Sequence, residues 1–426
     1  MKIKKLHFLF AGLIISATSL GQKQPSISLN EISQTINFLA SDEMKGRKTG
    51  SPEIEKAAGF IAASFKKAGL QPLTGNSFLQ SFAMVSAKQT SLSATNSAGA
   101  IDPKRIIALT SEPELQFSAE KAAQATIKAG ENFFSKAMGY ASGGKPVIVL
   151  VDSSFADRFN RLAFLKRNFF KTGYPVVFIL GNIDLKGFSV HAAHDIEEKK
   201  LANVVGVLPG KSLKSEYVIF SAHYDHIGIG QPENGDSIYN GANDDASGTT
   251  AVMALAKYYA KQKNNSRTLI FAAFTAEESG GFGSQYFSKQ LLPEQAIAMF
   301  NIEMIGTDSK WGKNSAYITG FEKTNMGAML QANLKESHFT FRPDPYPDQQ
   351  LFYRSDNATL ARLGVPAHTI STSKMDIEPH YHKASDEVKT LDLENMTAII
   401  EAIAISAKSI ISGKDTPSRV DTSQLR

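Results

Sequence analysis

Two stretches decide the fold: residues 217–228, YVIFSAHYDHIG, and residues 268–280, TLIFAAFTAEESG. Each opens on a short apolar run and closes on histidine or acidic side chains beside a glycine. Apolar runs of this length without alternation fit strands buried on both faces. The signal extends outward. Residues 203–208 and 299–305 read as further strands, and residues 246–261, 326–334 and 393–411 as helices. Strands alternating with helices of this length predict an α/β fold, three layers deep as α/β/α, around a mostly parallel mixed sheet.

Upstream, residues 30–70 read as helical. Ser28 or Asn30 can cap a helix with Ile32, Ile36 and Leu39 on one face. A second helix carries Ala57, Ala58, Ile61, Ala62 and Phe65 and ends at Gly69. The run GRKTGS at 46–51 lacks the spacing of a phosphate loop, and no strand precedes it. Residues 83–140 show weak periodicity. Strand-like runs at 146–151 (PVIVLV) and 175–180 (PVVFIL) flank a helix-like stretch with Phe164, Leu165 and Phe169. This β–α–β pattern predicts a small inserted module over 84–199. It divides the peptide chain into an N-terminal core part (22–83), the module, the main core (200–413) and a polar tail (414–426) expected to be mobile. His191 and His194 lie three apart without an accompanying acid, which favours a surface or cap role.

Composition narrows the chemistry. Of 426 residues, 42% are hydrophobic and 20% charged, the balance of a chain able to bury a core. There is no cysteine. Disulfide scaffolds, thiolate-held zinc, iron–sulfur clusters and thiol nucleophiles are therefore excluded, and any metal must be held by His, Asp and Glu. The formal charge is +5. Residues 1–21 read as a secretory signal peptide: Lys2, Lys4 and Lys5 precede an apolar segment, with Ser19 and Gly21 at the cleavage positions. Removing three lysines and no acids leaves +2, which gives no support to a nucleic-acid partner. The product is expected to be exported, periplasmic or extracellular, with no membrane anchor after cleavage.

Four motifs carry candidate chemistry. In SAHYDHIG (221–228), His223 and Asp225 are two apart and face the same way on an extended backbone. In GANDDASG (241–248), Asp245 can cap the following helix, which leaves Asp244 free to face a site. In FAAFTAEESG (271–280), Glu277 and Glu278 can serve one site only from the turn beyond the strand. Ligands of open α/β sheets bind at such carboxyl ends. One glutamate can then bind metal while the other takes a proton from water. In NIEMIG (301–306), Glu303 is an acid in an apolar strand, costly to bury without a partner. PHYHKASD (379–386) adds His380 and His382 far downstream. Oxygen and nitrogen donors without thiolate suit catalytic Zn²⁺, with Mn²⁺ or Co²⁺ as substitutes.

As an ordered set, these motifs resemble the secreted, co-catalytic dinuclear zinc peptidases that include bacterial leucyl aminopeptidases and glutamate carboxypeptidase. LASDEMKGRKTG (39–50) and residues 57–72 resemble the family's N-terminal segment, and the insertion weakly resembles a protease-associated module. The resemblance implies a zinc-exopeptidase fold, a peptide substrate and two Zn²⁺. Asp244 would bridge them, with His223 and Glu303 on one and Glu278 and His382 on the other. Glu277 would be the general base. Tyr381, in the Tyr-His-x-x-x-Asp pattern of 381–386, would donate to the oxyanion. Asp225 would orient His223, while Asp245 and Asp356 would stand behind the ligands. The Asp244–Asp245 peptide is expected to be cis. The family usually has Asp at the position of Glu303, which leaves one metal or two open. Two alternatives follow from the same fold: a single-zinc glutaminyl cyclase, or a non-catalytic binding protein on the peptidase scaffold. The preferred residue, the choice between amino- and carboxypeptidase, and the oligomeric state are not specified by these motifs.

Overall fold

The computed structural model describes residues 26–425. The expected signal peptide, residues 1–21, lies outside them. No helix among the described residues is long and apolar enough to cross a membrane.

A mixed sheet organises the chain. Its centre is four parallel strands in the order Arg267–Phe274, Leu213–His223, Ala296–Ile302, Ala367–Ser371. Arg267–Phe274 is buried along its whole length, which is why its sequence shows no alternation. Two faces of the sheet each bury a core. On one, Val218, Phe220, Leu269 and Phe271 pack against helices Leu29–Leu39, Pro52–Ala68, Gly248–Gln262 and Leu393–Ser406. On the other, Ile219, Ile270 and Phe274 meet Phe287 of helix Phe282–Ser288 and Leu360 of helix Asn357–Ala361. This is the three-layer α/β/α arrangement the alternation predicts. Ser28 caps the first helix and Gly69, at φ 84°, ends the second.

The region of weak periodicity holds most of the surprises. Leu79–Asn96 and Ser189–Leu208 pair antiparallel from Leu79↔Val204 to Thr95↔Ser189, leaving the main sheet as one long ribbon. The expected module boundaries at 84 and 199 fall inside these strands rather than in linkers. Beyond the ribbon sits a second sheet, ordered Ile106–Leu109, Val176–Leu180, Val147–Val151, Ala123–Ile127. Val147–Val151 and Val176–Leu180 are parallel, as the β–α–β reading requires. The stretch between them is less helical than expected. It forms short turns, and Phe169–Phe170 pairs with Val85 and Met84 of the ribbon. The tail also differs from expectation. Arg419 Nη1 donates to the Ala296 carbonyl at 2.8 Å, the Val420 amide to Gly364 at 3.0 Å, and Val420 is buried.

One buried histidine away from the motifs makes stability depend on pH. His368 Nδ1 donates to the Thr319 carbonyl at 2.8 Å, and Nε2 accepts from the Thr324 hydroxyl at 2.7 Å. Burial lowers its pKa to about 4, against ~6.5 when unfolded. As pH falls below the unfolded value, the unfolded chain takes up a proton that the native chain refuses. The contribution is therefore complete above that value and lost as pH approaches the folded one. The full loss is about 3 kcal/mol. Urea unfolding at pH 7, 5.5 and 4.5 is expected to show it as a steeper decline in the parent than in His368→Gln. Equal slopes would remove His368 from the effect.

Candidate metal centre

The site is assembled at the carboxyl ends of the central parallel strands. His223 ends one strand, Glu277 and Glu278 follow the next after a turn at Ala276 (φ 57°), and Glu303 follows the third. The strand expected over 299–305 stops at Ile302, so Glu303 lies just beyond it rather than within it. Asp244 and Asp245 precede helix Gly248–Gln262, and the peptide between them is cis.

The hydrogen bonds define which atoms are free. His223 Nδ1 lies 3.0 Å from the Asp225 carbonyl, an acceptor only, so Nδ1 carries the proton and Nε2 keeps its lone pair. Nε2 is 3.2 Å from Asp244 Oδ1. Across Asp244, Oδ2 lies 3.2 Å from His382 Nε2, which is also 3.2 Å from Glu278 Oε2. His226, absent from the expected ligand set, places Nδ1 2.8 Å from Glu278 Oε1 and is fully buried. Two groups of donors result, His223–Asp244–Glu303 and His226–Asp244–Glu278, each with ligand atoms within 4.8 Å of one another. They share Asp244. Among the described residues these are the clusters able to hold a metal. His194, though buried, joins neither.

Three tests ask whether divalent cations fit. His223 Nε2 and Glu303 Oε2 are buried with no hydrogen-bond partner, a costly state that a cation would relieve. Donor spacings of 3.2 Å match the ~3.3 Å edge of a zinc tetrahedron with bonds near 2.0–2.1 Å. Negative charge is also in surplus. Burial, chiefly, holds the Glu277 carboxyl well above its usual pKa and raises Glu303 to about 7 and Asp356 to about 6. Hydrogen bonds to Asp244 and Glu278 raise His382 to about 10. The donor set fits. Chelating the metal is expected to lower the midpoint of thermal unfolding by on the order of 10 °C, restored by added Zn²⁺. Calorimetry with and without chelator checks it, and an unchanged midpoint would count against a buried metal.

The surrounding residues hold this geometry. Asp225 does something other than expected. Its carboxylate lies 3.8 Å from His223 Nδ1, and instead accepts from the amides of Glu277 and Glu278 at 3.1 and 3.4 Å and from the Thr49 hydroxyl at 2.9 Å. It therefore fixes the turn of the two glutamates, while its backbone carbonyl orients His223. Asp245 accepts from the amides of Gly248 at 2.9 Å, Met304 at 3.1 Å and His223 at 3.3 Å, tying three site segments together. Asp356 is buried, and neither carboxylate oxygen has a hydrogen-bond partner. Tyr381 stacks on His382 with ring centroids 4.0 Å apart and lines a small cavity with Glu303, Arg354 and Met375. Burial raises its pKa, so the phenol stays a donor.

Three supporting residues escaped the sequence reading. Asp386, the end of the 379–386 motif, accepts from the amides of Asn243 at 2.8 Å and Asp244 at 3.0 Å. Arg47 is fully buried and donates to the carbonyls of Tyr224, Leu39, Asn240 and Gly241. His226 stood inside the quoted SAHYDHIG, and its place three residues after His223 in the same turn was the available signal. Arg47 had none, because its partners lie up to 194 residues away.

The chain thus presents paired His–carboxylate donors at the strand ends of a parallel-centred α/β/α fold. Residues 203–406 match the model of peptidase family M28. A probable leucine aminopeptidase from Trichophyton verrucosum is 30% identical over 203 residues, covering 46% of this chain and 53% of the relative. The chain thus spans about half the length of the curated relatives it matches. Among solved structures, an aminopeptidase from Aneurinibacillus sp. strain AM-1 superposes with TM-score 0.54 at 19% identity, covering 91% of this chain and 94% of the other. A zinc aminopeptidase from Bacillus subtilis gives 0.55 at 18%, covering 92% and 96%. At these identities the likeness speaks to fold.

Proposed function

We propose that the protein is an exported zinc-dependent exopeptidase, most specifically an aminopeptidase, whose two donor groups, sharing Asp244, would hold two Zn²⁺. The observation that carries this reading is the pair of donor clusters meeting at Asp244 beside the uncommitted Glu277. The match of residues 203–406 to family M28 and the aminopeptidase relatives support it. His223 and Glu303 would hold one ion; Glu278, His382 and the additional imidazole of His226 would hold the other. Bound there, zinc supplies polarisation of the scissile carbonyl and brings the pKa of water to ~7.

The chain's own residues do the rest. Glu277 takes a proton from the attacking water and delivers it to the leaving amine. Tyr381 donates to the carbonyl oxygen as charge builds there. Asp225 keeps the Glu277–Glu278 turn in register with His223. The small cavity lined by Tyr317, Leu351, Met375 and Tyr381 receives the terminal side chain. Complete donor sets favour this reading over a binding protein on the same scaffold, whose site would not need them. Export rests on the charged and apolar pattern of residues 1–21.

Incubating the zinc-loaded protein with a peptide library, with mass-spectrometric readout of the trimmed end, tests the proposal. Stepwise loss of N-terminal residues is expected, with about two zinc per chain by elemental analysis. Trimming from the C-terminus, or conversion of N-terminal glutamine to a cyclic product, would replace it.

A further inference from the structure

The two sides of the metal centre are unequal. On the Glu303 side the cavity beside Tyr381 is small, about 40 Å³. On the Glu278 side a groove of about 440 Å³ is lined by His226, Glu278, His382, Asn168 and Ser279. Asn168 and Ser279 also line a cavity of about 860 Å³ between the inserted module and the core. The two spaces therefore adjoin at these residues, and together they lead from the metal donors toward the module.

The larger chamber has a definite chemistry. Its wall is aromatic: Phe82 stacks on Tyr286 at 4.8 Å, and Phe170 meets Phe282 edge-on at 5.2 Å. Met138 and Phe164 line it from the module and are 49% and 41% exposed. Arg167, Lys171 and Lys289 also line it, and no Asp or Glu does. Lys171 is paired with Glu198 at 2.5 Å, whereas Lys289 lies over the Phe170 ring at 4.7 Å. Nearer the metals, Lys48 and Lys199 continue the positive lining.

We propose that this chamber is a substrate subsite, taking the leaving-group side of a peptide that carries a bulky apolar or aromatic side chain and, beyond it, a carboxylate. The inference rests on the exopeptidase reading above. One terminal residue suits the small cavity, and the rest of the chain must leave by the open groove. Apolar surface at Met138, Phe164 and the ring wall then gains by covering, at ~25 cal/mol per Å². A carboxylate beyond it meets Arg167 and Lys289, whereas Lys171 is already paired with Glu198. The inserted module would thus select peptides by residues away from the bond that is cut.

The test compares leucine 4-nitroanilide with the peptides Leu-Gly-Gly-Phe-Glu and Leu-Gly-Gly-Ser-Glu on the zinc-loaded chain. A preference in kcat/KM of at least about ten-fold for the phenylalanine peptide is expected, falling below about three-fold when Phe164→Ser is combined with Lys289→Gln. Phe164 is a rim residue, so its replacement leaves the fold intact. Cleavage of the anilide with equal rates on both peptides, or a preference that survives both substitutions, overturns the subsite and leaves the exopeptidase standing. If nothing is cleaved, the exopeptidase reading fails and binding decides the subsite. Anisotropy of Leu-Gly-Gly-Phe-Glu bearing a dye on an added lysine, measured on Glu277→Gln, would support it if Phe164→Ser weakened binding about five-fold or more. Absent or unchanged binding would overturn it.

Discussion

Glu277→Gln is expected to lower kcat by about 10²–10⁴-fold while zinc content stays at the parent's level. The two carboxylates of the 277–278 turn differ in what they face. Glu278 lies 2.8 Å from His226 and 3.2 Å from His382, and these contacts bring its pKa to about 2 against the opposing effect of burial. It is held in the charged form that a metal ligand requires. Glu277 has no such partner, and burial holds its carboxyl well above the usual value. A carboxyl of that kind ionises only with positive charge beside it, which leaves it poised to take and release a proton. Glutamine keeps the shape and the main-chain bond to Asp225 but cannot carry that proton. Steady-state assays with metal analysis check the result. Full activity in Glu277→Gln would remove the residue from the chemistry.

Arg47→Met is expected to cost several kcal/mol of stability and to weaken zinc retention together. The Arg47 guanidinium gathers four carbonyls from three segments: 39, 224, and 240–241. Two of those segments flank the metal ligands His223 and Asp244. Burial lowers its pKa to about 10, so at neutral pH it keeps its charge and all its donors. Methionine would fill much of the volume and remove a donor from four carbonyls, of which Gly241 keeps the Ala246 amide, at about 1–3 kcal/mol for each left unpaired before water enters. Arg47→Lys, a point charge without the planar fork, should recover only part of the loss. Urea unfolding combined with zinc competition measures both effects. Loss of stability with unchanged zinc affinity would separate Arg47 from the site.

How much of this could be read beforehand follows from the range of each interaction. The parallel core announced itself because burial on both faces writes continuous apolar runs such as 268–274. Among the candidate ligands, His223, Glu278 and Glu303 came in order because each sits at or just past a strand end, and a strand end is a local event. Asp225 was found but given too simple a role. Spacing brings it near His223, whereas its bonds to the Glu277 and Glu278 amides depend on how two strands align. Leu39 apart, the carbonyls and amides that Arg47 and Asp386 hold are more than 140 residues distant, and main-chain groups leave no trace in side-chain patterns. The long ribbon was missed for another reason. Its alternating, half-exposed surface dilutes the apolar signal that marked the core strands.

That ribbon has a metrical consequence. Because Leu79–Asn96 and Ser189–Leu208 are paired without interruption except at Ala193/His194, the inserted module is carried on a two-strand beam, braced where Phe170 meets Phe282 of the core. If the chamber is the subsite proposed above, the beam sets its distance from the scissile bond as a backbone constant. An extended peptide advances about 3.3 Å per residue, so the assembly would then work as a ruler. Moving the anchoring side chain by two positions would displace it by roughly 7 Å, a shift that a swinging lid could follow and a beam cannot.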